Sequence, residues 1–248
     1  MNFVNLESLN ILSKKNIGIS ILIPLYNGIE YLETSMQSVI DQTYSHWQLV
    51  IGINGHGADS DVYMQAQDIS NKLNKNNCDI LIKHYDTKGK SKTLNAMVAD
   101  CKFDRIAILD VDDYWTPDKL EVQVPYLQDY DIVGARCEYF EGKTGSPPIP
   151  LGDITHSHNI FSYNPIINSS AIIKKEDAIW DDEAYIHPVE GLDDYSMWFK
   201  LYYLKRKFYN IDKILCFHRI HTNSAFNVSN DNRVDQLKQL WYNKFQNR

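Results

Sequence analysis

The sequence predicts an α/β fold organised around a mostly parallel, doubly wound central sheet flanked by helices. Two observations carry that prediction. Short apolar runs of strand length stand at Ile17–Ile23, Trp47–Ile53, Ile80–Ile82 and Ile106–Leu109. Between them, apolar residues recur at helical spacing: Leu32, Met36, Val39 and Ile40; then Val62, Ala66, Ile69 and Leu73; then Leu94, Met97 and Val98. Strands that alternate with helices in this way pair in parallel through crossovers.

The first strand ends at Pro24, and the first helix ends near Asp41. Asn54-Gly55-His56-Gly57 is a turn after the second strand. Thr116-Pro117 supplies an N-cap and first position for a helix after the fourth strand. The second half is less regular. Asp131 to Phe140 reads as extended, Gly142 to Asp153 as loop and Ala171-Ile172-Ile173 as a short strand. Leu192 to Lys205 reads as a helix, Ile211 to His218 as extended, and Val234, Leu237, Trp241 and Phe245 as the stripe of a last amphipathic helix. That stripe suits packing on the core or against a second copy of the chain, which leaves a homo-oligomer open. No clean linker interrupts the chain.

The length of 248 residues suits one large α/β domain or two small ones. Lys and Arg total 25 against 32 Asp and Glu, a net charge of -7, which argues against a nucleic-acid partner. A phosphate-bearing ligand would have to be held locally, with the help of a cation. Four widely spaced cysteines without a C-x-x-C pattern fit reduced thiols in the cytoplasm. No run reaches the ~20 apolar residues of a transmembrane segment, and Met1 to Asn16 lacks the pattern of a signal peptide.

In a doubly wound sheet, ligands bind at the carboxyl ends of strands. Three stretches fall there: Pro24 to Asn27, Asn54-Gly55, and Asp110-Val111-Asp112-Asp113. Three carboxylates in four residues repel one another. They form either a solvated turn with helix-capping aspartates or a site for Mg²⁺ or Mn²⁺ shared with phosphate oxygens.

Five segments in order resemble the family 2 glycosyltransferases of the GT-A fold. They are Pro24-Leu25-Tyr26-Asn27, Lys88 to Asn95, Leu109 to Asp113, Gly191 to Trp198, and His218-Arg219-Ile220-His221-Thr222-Asn223-Ser224. The resemblance runs from about Ile19 to Ser224. It implies one GT-A domain over 1–228, with a Rossmann-like nucleotide-sugar-binding half at about 17–113 and an acceptor-binding half at 114–228. Residues 229–248 remain as the C-terminal helix.

The resemblance also implies roles. The enzyme would move a hexose or N-acetylhexosamine from a nucleotide-sugar, first of all a UDP-sugar, to a glycan, lipid-linked or protein acceptor, with inversion. Asp110 would hold the nucleotide side, with Val111 beside it, and Asp112 would ligate a Mn²⁺ or Mg²⁺ ion on the diphosphate. Asp113 is either a supporting residue or a helix cap. His221 would bind the metal or the leaving diphosphate, with His218 less favoured. Asp194 aligns with the general base and Asp193 is the fallback; apart from the resemblance, both read equally as helix N-terminal acids. Pro24 and Tyr26 would line the nucleobase pocket, and Asn95 would support it. Lys88, Lys90 and Lys92 would reach the diphosphate. Trp198 would face the acceptor or lie in the core. Asn54 stands where the family carries an acid that reads the base. An amide can still pair with uracil, but the substitution also admits a binding protein without turnover. A haloacid-dehalogenase-type phosphatase would likewise set Asp110 and Asp112 after an apolar strand. There the motif follows the first strand, whereas here three strand–helix units precede it.

Overall fold

The computed structural model describes residues 17–156, 160–180, 192–221 and 232–246. The expected elements of the first half appear in order: β1 (Ile19–Leu25), α1 (Ile29–Ile40), β2 (Trp47–Asn54), α2 (Asp61–Leu73), β3 (Ile80–Tyr85), α3 (Lys90–Val98) and β4 (Arg105–Ile108). The second half holds β5 (Tyr114–Trp115), α4 (Lys119–Gln123), β6 (Ile132–Phe140), β7 (Gly152–Asp153), β8 (Ile172–Lys174), α5 (Asp193–Tyr203), β9 (Phe208–Arg219) and α6 (Arg233–Gln246). Among the described residues all strands join one sheet. Its main path runs β3-β2-β1-β4-β8-β6-β9-β5, and β7 adds to β9.

The side-chain period of 2 explains why the strands read as unbroken apolar runs. In β1, Ile19, Ile21 and Ile23 face one layer while Leu22 faces the other; in β4, Ala107 faces the first layer and Ile106 and Ile108 the second. α1 lays Leu32, Met36 and Val39 on the first layer. α3, α5 and α6 cover the second with Leu94, Met97, Trp198, Phe199, Leu237 and Trp241. The C-terminal stripe is therefore spent on the core, where Trp241 lies parallel to Phe199 with ring centroids 6.0 Å apart.

β1, β2, β3 and β4 are parallel, as expected. The second half is mixed. β8 runs antiparallel to both β4 and β6, whereas β6 and β9 are parallel. β8 enters from a 3₁₀ turn at Asn168–Ser170 beside the end of β4, so it can only run back. The short helix begins at Lys119, not at Thr116. The Thr116 carbonyl accepts from Lys119 N–H at 3.2 Å and the Pro117 carbonyl from Thr43 N–H at 2.8 Å, so this stretch closes a turn ahead of the helix.

β1 also continues through Pro24, which has no N–H to donate. The strand tolerates it because β4 pairs with β1 only as far as Leu22↔Ile108. Beyond that register the two strands part, while β2 follows β1 to Leu25↔Ile53. The parting falls where the sheet order reverses direction, which is where such sheets open a ligand crevice.

One buried cation stands outside that crevice. Lys119 is 0% exposed; its ammonium donates to Gln123 Oε1 at 2.6 Å and lies 4.0 Å from the Trp115 ring centre. Burial drives its pKa down to about 7. The folded state thus disfavours the charge fully below that value. The handicap fades as pH rises and the unfolded chain loses the same proton. Lys119→Met should gain stability relative to the wild type at about pH 6.5 and lose that advantage by about pH 10.5, a swing of roughly 3–5 kcal/mol. Urea unfolding at the two pH values measures it. A swing near zero would mean that burial does not lower the pKa of this amine.

Candidate active site

The parted ends of β1 and β4 open into a cleft of about 1340 Å³, lined from the ends of β1, β2, β3 and β4 and from the chain after β9. One group of its lining residues is aromatic and amide-bearing. Tyr26 is 55% exposed, and its ring stands 5.3 Å from that of His56, whose Nε2 lies 2.5 Å from the Tyr26 carbonyl oxygen. Gly55 has φ 73 and lies beneath that ring; a Cβ there would come within 2.5 Å of Tyr26 Cε2. Asn54 is buried at the end of β2, in register with Tyr85 of β3. The next residue, Asp86, lines the same cleft.

A second group of lining residues is charged. Gly89, at φ 98, starts α3 and turns Lys90 into the cleft. Lys90 Nζ meets Asp110 Oδ1 at 2.5 Å. Asn168 Nδ2 donates to both oxygens of Asp110, at 3.2 and 3.0 Å. Burial alone would raise the Asp110 pKa, but Lys90 and Asn168 outweigh it and hold the carboxyl below its ordinary range. Burial also presses on Lys90, and the charges of Asp110, Asp193 and Asp194 overcome it, so the ammonium stays charged.

Asp112 and His221 face one another, with Nε2 3.0 Å from Oδ2. The His221 ring stands 5.7 Å from that of Tyr31. An oxygen and a nitrogen donor this close suit Mn²⁺, and an oxygen-rich shell completed by diphosphate and water suits Mg²⁺ as well. The residues therefore fit the expected ion. Among the described residues no cluster of three or more His, Cys, Asp or Glu groups forms a metal cage, so the ligand would supply the remaining donors.

Asp113 is neither exposed nor a helix cap. It is 1% exposed. Its carboxylate accepts from Ser169 Oγ, from Arg219 N–H at 3.0 Å and from His218 Nδ1 at 3.0 Å. Burial pushes Asp113 up; the same carboxylate pulls His218 up, against burial, to about 9. Three donors on one carboxylate place the shared proton on the imidazole.

Asp193 and Asp194 open α5 and lie behind the Lys90 side of the cleft. Asp193 Oδ1 accepts from Ser91 Oγ at 2.6 Å, and Asp194 Oδ2 from Asn164 Nδ2 at 2.9 Å. Burial raises the Asp194 pKa, against the pull of Asn164 and Lys90. A carboxylate shifted upward is better matched to taking a proton near neutrality.

Asp193 and Asp194 do not themselves line the cleft, and three further expected site residues fall elsewhere. Lys92 is exposed and does not line the cleft; one helical residue turns the side chain by about 100°, and Lys90 and Lys88 face inward instead. Asn95 clamps the backbone of Trp180, donating to its carbonyl at 2.7 Å and accepting from its N–H at 2.8 Å. Trp198 is 0% exposed in the core and presents no face to an acceptor. Pro24, Tyr26, Asn54, Asp110, Val111, Asp112 and His221 all line the cleft, and so does His218. Sequence reasoning missed Asn164, Asn168, Ser169 and Asp86. Asn164 and Asp86 lie in loops and Asn168 and Ser169 in a 3₁₀ turn, none with a periodic pattern, and the strand order brings them to the site. The segment Asp181 to Glu190, and Gly191 and Thr222 to Ser224 of the motifs, lie outside the described residues.

Comparison with known proteins gives a consistent picture. Residues 20–234 match the family Glycosyl transferase family 2. The chain is 22% identical over 234 residues to TuaG, a Bacillus subtilis (strain 168) glycosyltransferase named for teichuronic acid biosynthesis, covering 90% of this chain and 86% of that one. It is 24% identical over 215 residues to the Escherichia coli UDP-Glc:alpha-D-GlcNAc-diphosphoundecaprenol beta-1,3-glucosyltransferase WfaP, covering 84% and 79%. Its fold superposes on S. aureus TarS 1-349 in complex with UDP-GlcNAc with a TM-score of 0.69 at 15% identity, over 91% of this chain and 66% of that one. The chain thus spans about two thirds of that solved structure. The fold is GT-A, among the described residues no helix is long and apolar enough to cross a membrane, and the chain belongs to glycosyl transferase family 2, a family of glycosyltransferase enzymes.

Proposed function

We propose that this glycosyltransferase moves a hexose or N-acetylhexosamine from a UDP-sugar to an acceptor hydroxyl by a single inverting displacement, with a divalent cation at Asp112 and His221 and Asp194 as general base. The observation that carries the proposal is the set of groups gathered at one cleft. Tyr26, Asn54, the Lys90–Asp110 pair and the Asp112–His221 pair line it, and Asp194 acts by charge on Lys90. These groups suit a nucleobase, a diphosphate and a reacting sugar. The TarS complex contains UDP-GlcNAc, WfaP is named for UDP-glucose, and a Pyrobaculum calidifontis mannosyltransferase of like fold, at a TM-score of 0.61 and 14% identity, is in complex with GDP-Man and Mn2+.

In this reading, Asn54 and Asp86 offer an amide and a carboxylate to the base edge, while Tyr26 covers its face. Lys90 sets a fixed positive charge against the diphosphate, and Asp110 keeps that charge in place. A bound divalent cation supplies Lewis-acid stabilisation of the departing nucleoside diphosphate. Asp194 takes the acceptor proton as the hydroxyl attacks the anomeric carbon from the face opposite the leaving group. Glycan, lipid-linked and protein hydroxyls all meet that chemistry. The two halves expected at about 17–113 and 114–228 then correspond to donor and acceptor sides. Four free cysteines support a cytoplasmic site of action.

Thermal unfolding with UDP-, GDP- and ADP-sugars, with and without Mn²⁺, tests the donor. A UDP-sugar with Mn²⁺ at a hundredfold over its Kd should stabilise the fold by about 2.7 kcal/mol. Asp112→Ala should abolish the increment that Mn²⁺ adds. Asp194→Asn should keep the full ligand stabilisation yet lose about 10²–10⁴-fold in turnover; retained turnover would remove Asp194 as base. Calorimetric titration with UDP separates the lysines. Lys90→Ala should weaken binding about tenfold or more, by loss of a charged contact. Lys92→Ala should stay within about twofold, as an exposed surface charge does. Equal losses from both would contradict the placement of Lys90.

A further inference from the structure

The two adjacent acids at the start of α5 are held in different ways. Ser91, the residue after Lys90, ties Asp193 to the donor-side helix through its hydroxyl at 2.6 Å. Asp194 is tied instead to the loop 160–167 through Asn164. That loop is stitched down on both sides. The Tyr195 hydroxyl, from the residue after Asp194, donates to the Ile160 carbonyl at 2.5 Å. The buried Asn210 of β9 donates to the Pro165 carbonyl at 2.8 Å. Within the loop, Ile166 N–H donates to Asn164 Oδ1 at 3.4 Å, which fixes the amide so that its NH₂ faces the carboxylate.

We propose that Asn164 is the positioning residue for proton abstraction: it holds Oδ2 of Asp194 and, with the backbone N–H of Tyr195, fixes the carboxylate that meets the acceptor hydroxyl. The proposal rests on the reading of Asp194 as base. In the step it serves, the hydroxyl proton passes to the Asp194 carboxylate as the new C–O bond forms, and the bond from the anomeric carbon to the nucleoside diphosphate breaks. Asn164 keeps both its protons throughout. An N–H donated to a carboxylate favours the charged form, so Asn164 also offsets part of the burial that raises Asp194. The charged groups that act on Asp194 are Lys90 from α3, which favours ionisation, and Asp193 from α5, which opposes it. The loop 160–167 contributes no charged residue. Ser91 gives Asp193 a fixed partner of its own, which separates the roles of the two acids.

The test combines a titration with kinetics. The carboxyl carbons of aspartate are labelled with ¹³C in the full chain, and the Asp194 resonance is assigned by its loss in Asp194→Asn. In parallel, UDP release from UDP-GlcNAc is followed against pH. Asn164→Ala should move the Asp194 titration upward. It should lower kcat about tenfold or more near pH 6 with a smaller loss near pH 9, and leave KM for UDP-GlcNAc within about twofold. The isosteric Asn164→Asp, which replaces the donor by a like charge, should move the titration further in the same direction. An unchanged Asp194 titration in both variants overturns the proposal. So does a kcat loss equal at every pH without a titration shift, which would mark a merely structural role. Turnover retained in Asp194→Asn would instead remove the base reading, while the titration still reports whether Asn164 holds that carboxylate.

Discussion

The site is organised by one buried carboxylate. Asp113 follows the end of β4, loses nearly all contact with water, and must replace that hydration with donors. It finds them in three places: the hydroxyl of Ser169 in the turn before β8, the imidazole of His218, and the backbone N–H of Arg219 at the end of β9. A carboxylate so satisfied pins two segments separated by 105 residues. The pairing of Asp112 with His221 is a consequence, since the first adjoins Asp113 and the second lies two residues past Arg219. Arg219 secures the same junction. Its Nε donates to the Asp112 carbonyl at 3.0 Å, its Nη1 meets Glu141, and its guanidinium lies 4.4 Å from the centre of Tyr31 and 4.5 Å from that of Phe140.

Charge along the cleft is largely paired. The net charge is -7, yet the central carboxylates are not all free. Asp110 is committed to Lys90 and Asn168, Asp113 to His218 and its neighbours, and Asp193 to Ser91. Lys90 stands among three acids, paired directly with Asp110 and acted on by the charges of Asp193 and Asp194. His218, held protonated by Asp113, adds a second positive charge to the cleft lining. Asp112 is left at the rim with a histidine, in the position where an added cation would meet both protein and ligand.

Much of this was legible in the residues. The D-x-D stretch, Pro24, Tyr26 and Asn54 were expected at the carboxyl ends of strands and His221 from the family resemblance, and the cleft contains them. The errors share one cause. Lys92, Asn95 and Trp198 sit on helices, where a local motif names the element but not the direction of each side chain within it. Trp198 is drawn into the core by its apolar area, and Asn95 toward the backbone of Trp180, whose N–H and C=O it satisfies. Neither demand is visible in spacing alone. The mixed second half of the sheet has a similar origin, for β8 is too short to announce its direction, and the adjoining turn at Asn168–Ser170 decides it.

The sequence by itself determined the strand–helix alternation, the two-faced burial of the strands and the edge of the sheet where chemistry would gather. Those follow from periods of 2 and 3.6 residues, which are local properties of the chain. Only the tertiary structure decided which acid is paired with what. Asp110 meets Lys90, Asp113 meets His218, Asp193 meets Ser91 and Asp194 meets Asn164 because of the order in which strands lie side by side. A carboxylate's role depends on its burial and on the nearest donor, and both are set by residues far away along the chain.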